Sequence, residues 1–139
     1  MKHVMTLLTA LTLTLSATAG FAAEGSRDAN RLAKYEAHAG APVKNIPYRS
    51  PLGWEVVDDQ HILLTMRPKE VYLMRLSGLC IKNGRGAATI GISSQAGRVS
   101  AGFDRVTTGD EPSSCRVEEI RPVDVAAMKA GDAEKKSST

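Results

Sequence analysis

The stretch from Trp54 to Cys80, WEVVDDQHILLTMRPKEVYLMRLSGLC, constrains the fold more than any other part of the chain. Three apolar runs, Val56-Val57, Ile62-Leu63-Leu64 and Val71-Tyr72-Leu73-Met74, are separated by Asp58-Asp59-Gln60 and by Arg67-Pro68-Lys69-Glu70. β-Branched and aromatic runs of this length between turn residues read as consecutive antiparallel strands. Ile62, Leu64 and Met66 alternate with His61, Leu63 and Thr65, which calls for one buried face and one partly covered face. The stretch specifies a fold more clearly than an activity.

Upstream, Ser26 or Asp28 can cap a helix in which Ala29, Leu32, Ala33 and Glu36 share a face, ended by Gly40 and Pro42. Pro47 restricts the Val43–Arg49 segment to an edge strand, because proline has no ladder donor. Downstream, AATIGIS (87–93) alternates with period two. The segment from Arg98 to Thr107 is extended, with Val99, Ala101, Phe103 and Val106 inward and Gly102 at a bulge. In CRVEEIR, residues 115–121, Val117 and Ile120 fall on opposite faces unless a bulge or frayed end intervenes. Asp124 caps a helix over Val125–Ala130 that Gly131 stops. Residues 132–139 form a small polar tail too poor in apolar groups to fold. The predicted class is mainly β (α+β): an antiparallel sheet of about six strands, curled or sandwich-like, with short N- and C-terminal helices.

The first 22 residues read as a targeting segment. Met1-Lys2-His3 is a short basic start, Val4–Leu15 is apolar, and Ala17-Thr18-Ala19 and Gly20-Phe21-Ala22 are small-residue cleavage signals. That order describes a secretory signal peptide, too short for a comfortable membrane span. Its removal leaves one domain, residues 23–131, plus the tail, with no integral membrane segment. Periplasmic export is the expected destination. The formal charge of +3 falls to +2 when Lys2 goes, and with few aromatics and interspersed acids it argues against nucleic acid as a partner. Two cysteines in an exported chain most simply pair with each other, so Cys80 and Cys115 are expected to form a structural disulfide.

An ordered set of segments resembles a known family. RLAKYEAHAGAPV is followed by a Trp before an acidic turn, then VYLMRLSGLC, IGISS, VSAGFDRV and CRVEEIRPVDV. The chain resembles in this a family of small exported proteobacterial proteins classed only as a domain of unknown function, over Leu32 to about Met128. The resemblance implies a periplasmic or envelope setting and brings no activity, cofactor or catalytic residue with it.

Several clusters invite a functional reading. Asp58-Asp59 with His61 could bind a metal or share a proton. In a hairpin the same residues satisfy turn backbone donors, and only His38 and His61 remain as histidines beyond the leader. Trp54 could stack on a glycan, or fill a core and give its indole N–H one partner. Asp104-Arg105 and Glu118-Glu119 with Arg121 and Asp124 could make an acidic ligand surface, or be the charges that strand edges carry. Gly84-Arg85-Gly86 lacks the strand and helix context of a phosphate cradle. Ser93-Ser94 and Ser113-Ser114 show no nucleophile-elbow pattern. No catalytic, metal or cofactor residue is assigned. The expected function is a non-enzymatic periplasmic module that binds or supports another envelope protein or a glycan. The alternative is a small periplasmic hydrolase or inhibitor-like factor using Asp58, Asp59 or His61.

Overall fold

The computed structural model describes residues 19–79, 81, 89–109 and 114–138. In chain order these form α1 (Ala19–Glu36), β1 (Asn45–Pro47), β2 (Gly53–Val56), β3 (His61–Arg67), β4 (Glu70–Leu76), β5 (Ile90–Ile92), β6 (Arg98–Ser100), β7 (Arg105–Thr108), β8 (Ser114–Val123) and α2 (Val125–Ser137). The central stretch is the antiparallel meander its turn residues predict, β2-β3-β4. It extends into a six-stranded antiparallel sheet of order β2-β3-β4-β8-β7-β5, with β1 and β6 paired as a separate ribbon. The sheet curls into a half-barrel, so the mainly β class and the six-strand sheet are as the sequence indicates.

Alternation along the strands gives the sheet two buried faces. On the inner face, Ile62, Leu64, Met74, Leu76, Val106, Val117 and Ile120 pack with Ile46 and Val99 of the ribbon. On the outer face, Val57, Leu63, Val71, Leu73 and Val123 pack against Leu32 and Tyr35 of α1 and Val125 of α2. Leu63 is the outward member of the β3 alternation and is only 7 % exposed. The helix above it explains why a residue that alternation assigns to the second face is still apolar.

The longest strand, β8, holds the two halves together. β4 pairs along one side of it, from Val71↔Val123 to Leu76↔Val117. On the other side, β7 pairs with its first residues, Ser114 to Arg116. Along that side's second half run residues just after α1. Gly40 N donates to Pro122 O (2.7 Å), Val43 N donates to Ile120 O (2.8 Å), and Ala39 bridges to Val123. Val117 and Ile120 differ in parity, yet both lie in the inner core. The reason is a bulge. Arg75 pairs with Glu119 but Leu76 pairs with Val117, so Glu118 is an extra residue that resets the face.

Four expectations are corrected. α1 begins at Ala19 rather than at Ser26 or Asp28 and ends at Glu36 rather than at Gly40. Asp28 is not a cap but a buried side chain, 6 % exposed, ion-paired with Arg31 at 2.7 Å. α2 does cap on Asp124, whose side chain accepts from Ala127 N, but it passes through Gly131 to Ser137. A lone glycine costs a helix only about 1 kcal/mol, and Lys34 holds the far end by a 2.6 Å ion pair with Asp132. Residues 132–137 are therefore helix in place of a disordered tail. Phe103 is 64 % exposed rather than inward, because Gly102 (φ +80°) turns the chain there. Residues 82–88, including Gly84-Arg85-Gly86 and the start of AATIGIS, lie outside the described residues. Among the described residues, no helix is long and apolar enough to cross a membrane.

Candidate functional site

The Asp58–His61 cluster is built by the β2–β3 turn. Asp58 Oδ1 accepts from Gln60 N and His61 N, both at 2.7 Å. His61 Nδ1 lies 2.8 Å from the same oxygen and 2.9 Å from Oδ2. Both carboxylate oxygens are thus engaged within one turn, the Asx geometry that aspartate brings to a hairpin. His61 starts β3 opposite Arg75, and Arg75 stands opposite Glu119. Arg75 Nη1 donates to Glu118 Oε2 at 2.5 Å, and Arg116 approaches the other oxygen of Glu118 at 3.8 Å. A polar row of alternating charge therefore crosses the outer face where α1 does not cover it. Among the described residues, no group of three His, Cys, Asp or Glu side chains could hold a metal.

The acidic surface suggested by the sequence is divided among structural tasks. Asp104 is 1 % exposed and accepts from Ser93 Oγ and Ser100 N, each at 2.7 Å, fastening the β6–β7 turn to the strand end after β5. Arg121 Nε donates to Gly40 O at 2.9 Å, tying β8 to the segment after α1. Asp124 caps α2. Ser114 Oγ accepts from Arg105 Nε at 2.7 Å across β7 and β8. Ser113 lies outside the described residues. His38 lines two shallow grooves beside α2, one of about 480 Å³ with Gly40 and Pro122 and one of about 730 Å³ with Lys34 and Met128.

Cys80 lies outside the described residues. Cys115 is 8 % exposed in the inner core, paired with Val106 on β7. A Cβ on Gly78 would stand 3.5 Å from its sulfur, so the chain two residues before Cys80 runs directly past it.

Register reveals a second constellation that linear sequence does not show. Trp54 pairs with Leu64, Leu64 with Tyr72, and Tyr72 with Pro122, in one row on the inner face. Leu64 is fully buried, while Trp54 and Tyr72 are half-buried against the inner core, with Tyr48 also at its margin. The Tyr72 hydroxyl donates to Glu70 Oε1 at 2.8 Å. Burial first, then the Glu70 hydrogen bond and charge, push the Tyr72 phenol up to about 12. The hydroxyl is therefore neutral throughout the physiological range. The only sequence signal for this row was the aromatic at position 54. Its companion at 72 sits two strands away, and only the hairpin register joins them.

The raised phenol has a measurable consequence. Because its folded value lies above the unfolded value near 10, the unfolded chain ionises first. The stability it contributes is fully present below pH 10 and is lost as pH rises towards 12. Wild type should lose stability to urea faster than Tyr72→Phe over that interval. Parallel losses in the two proteins would show that Tyr72 is not the titrating group.

Searches of curated proteins and of solved structures find no match. The family model described as a family of unknown function, DUF6491, matches residues 1–139, and the chain belongs to that family.

Proposed function

We propose that the chain is an exported, non-enzymatic binding module of the bacterial envelope, with Cys80 and Cys115 joined in a structural disulfide. The observation that carries binding over catalysis is the task given to Asp58. The most reactive-looking carboxylate of the sequence has both oxygens committed to its own turn and to His61. The inner face offers half-buried aromatic groups in its place.

Export rests on the leader pattern, and the anatomy of α1 is compatible with cleavage. Residues 25–27 are exposed, and the docked stripe begins at Asp28 and continues through Arg31, Leu32 and Tyr35. Cleavage between positions 19 and 24 leaves that stripe intact. Support for the disulfide comes from β4. Ser77 N donates to Arg116 O at 2.9 Å, which lays Gly78 beside Cys115, and buried Ile81 shares the inner core with Cys115. Bridged Cα atoms must come within about 7 Å, and the nearness of Gly78 to the Cys115 sulfur supports that pairing.

N-terminal sequencing of the protein from a periplasmic fraction should begin between Gly20 and Glu24. An intact Met1 in a soluble cytoplasmic pool is the result that removes export from the reading.

A further inference from the structure

We propose that the open edge of β5 takes in an extended, acidic segment of another protein as a further strand of the sheet. This names a surface and a partner chemistry for the binding role, and it rests on that role. β5 ends the six-stranded sheet: β7 pairs on one side of it, and among the described residues no strand lies on the other. Its hydrogen bonds alternate. Ser93 N donates to Arg105 O at 2.9 Å and Gly109 N donates to Thr89 O at 3.1 Å. In this antiparallel register Thr89, Gly91 and Ser93 therefore turn their backbone groups to β7. Ile90 and Ile92 direct an N–H and a C=O each the other way. Among the described residues, nothing bonds to these four groups. The sheet's opposite edge differs, because Arg31 of α1 donates to Val56 O on β2 at 3.2 Å. Edges that must stay single are blunted by charge, proline or a covering element. The run Thr89-Ile90-Gly91-Ile92-Ser93 carries neither charge nor proline.

The two faces beside this edge define the segment. On the inner face, Ile90 and Ile92 are half-buried against the core, so apolar side chains of an added strand would continue that surface. On the outer face, Arg105 stands directly opposite Arg116 across β7 and β8, with both side chains exposed. Like charges so placed are unfavourable in a sheet. The Arg105 guanidinium is held by Ser114 rather than by an acid: Nε donates to Oγ and Nη2 to the carbonyl, each at 2.7 Å. Arg116 has only Glu118 at 3.8 Å, and Arg75 takes the other oxygen of Glu118 at 2.5 Å. Arg116, Arg105 and Ser93 form one row, whose next position belongs to the added strand. That position lies two strand spacings from Arg105, about 10 Å between backbones, which an arginine and a glutamate side chain span together. The segment that fits alternates apolar residues, facing inward, with acids, facing the arginines. A second copy fits less well. Pairing β5 with its own counterpart would bring Arg105 and Arg116 of both protomers onto one face of a continuous sheet.

The probe is a labelled synthetic peptide that alternates valine with glutamate, followed by fluorescence anisotropy and by amide hydrogen exchange of the full protein. In the free protein the amides of Ile90 and Ile92 should exchange fast and that of Gly91 slowly. Saturable binding at micromolar peptide is expected, with Ile90 and Ile92 slowed in the complex. A residue directly opposite Ile90 or Ile92 shares its face and points its own N–H at β5. Methylating the valine nitrogens should therefore weaken binding roughly ten-fold, whereas methylating the glutamate nitrogens, which face away, should leave it unchanged. Arg105→Gln combined with Arg116→Gln should weaken it several-fold, as should lysine in place of glutamate in the peptide. Ile92→Pro removes an outward N–H and no bond to β7, so it should also weaken binding. The arginine variant and the methylated peptides decide the matter if the proline variant fails to fold. No binding of the glutamate peptide overturns the proposal. So does binding indifferent to which nitrogens are methylated, since charge alone would then hold the peptide. Slow Ile90 and Ile92 amides in the free protein would show the edge already covered, and amides that speed up on dilution would assign it to a second copy; either result overturns the proposal. Export is judged separately by the N-terminal sequence, so a correctly processed protein that ignores the peptide would sink this edge and leave export standing.

Discussion

Replacing Cys80 and Cys115 together by alanine is expected to lower the melting temperature by roughly 15 °C. The bridge would close a loop of 35 residues. Chain entropy for a loop of that length gives about 4 kcal/mol, and a domain of this size moves by about 4 °C for each kcal/mol. Typical stabilities are only on the order of 5–15 kcal/mol, so the loss is a large share of the total. Part of the effect in Cys115→Ala alone would come from the inner core, where that side chain is 8 % exposed. Reducing the wild-type protein separates the two contributions, because reduction opens the loop without removing a side chain. Thiol titration of the denatured, unreduced protein should find no free thiol. Two reactive thiols, or a reduced protein that melts with the oxidised one, would end the disulfide reading.

Deletion of Glu118 should be more damaging than any substitution at that position. Glu118 is the extra residue that lets Val117 pair with Leu76 while Glu119 pairs with Arg75. Without it, one segment of β8 must turn over, since strand side chains alternate with period two. Turning the first segment expels Cys115 and Val117 from the inner core; turning the second expels Ile120 and reverses Val123. Each buried aliphatic side chain is worth about 1.5–3 kcal/mol, so either rearrangement costs several kcal/mol. Glu118→Ala keeps the register and removes partly exposed pairs with Arg75 and Arg116, for each of which about 0–1 kcal/mol is typical. Urea unfolding of the two variants checks this. A deletion mutant as stable as Glu118→Ala would show that the bulge does not set the register.

How much of this was legible in the sequence depends on the distance over which each feature is written. The β2-β3-β4 meander was readable because its turns, Asp58-Asp59-Gln60 and Pro68-Lys69, lie beside the strands they join. The role of Asp58 in its own turn was readable for the same reason. The edge position of β1 followed from Pro47 alone. Phe103 misled because an apolar residue in an alternating run looks inward until Gly102 turns the backbone. The end of α2 was missed because Gly131 is a weak stop when Lys34, on another helix, holds Asp132. Asp28 looked like a cap because its ion partner Arg31 and the β2 carbonyl of Val56, which Arg31 also reaches at 3.2 Å, are brought together only by docking. The Trp54–Tyr72 row needed strand register, which no composition or periodicity supplies.

The pairing along the second half of β8 also orders events in time. Residues 39–43 find their backbone partners at 120–123, close to the far end of the chain. Local hairpins such as β3–β4 close within microseconds, whereas contacts between distant segments must first overcome loop-closure entropy. The segment after α1 therefore has no strand to join until β8 has been made. Until then the sheet lacks its longest member and the half-barrel cannot close. A chain built this way can form its local hairpins early but completes the sheet only once β8 has been made.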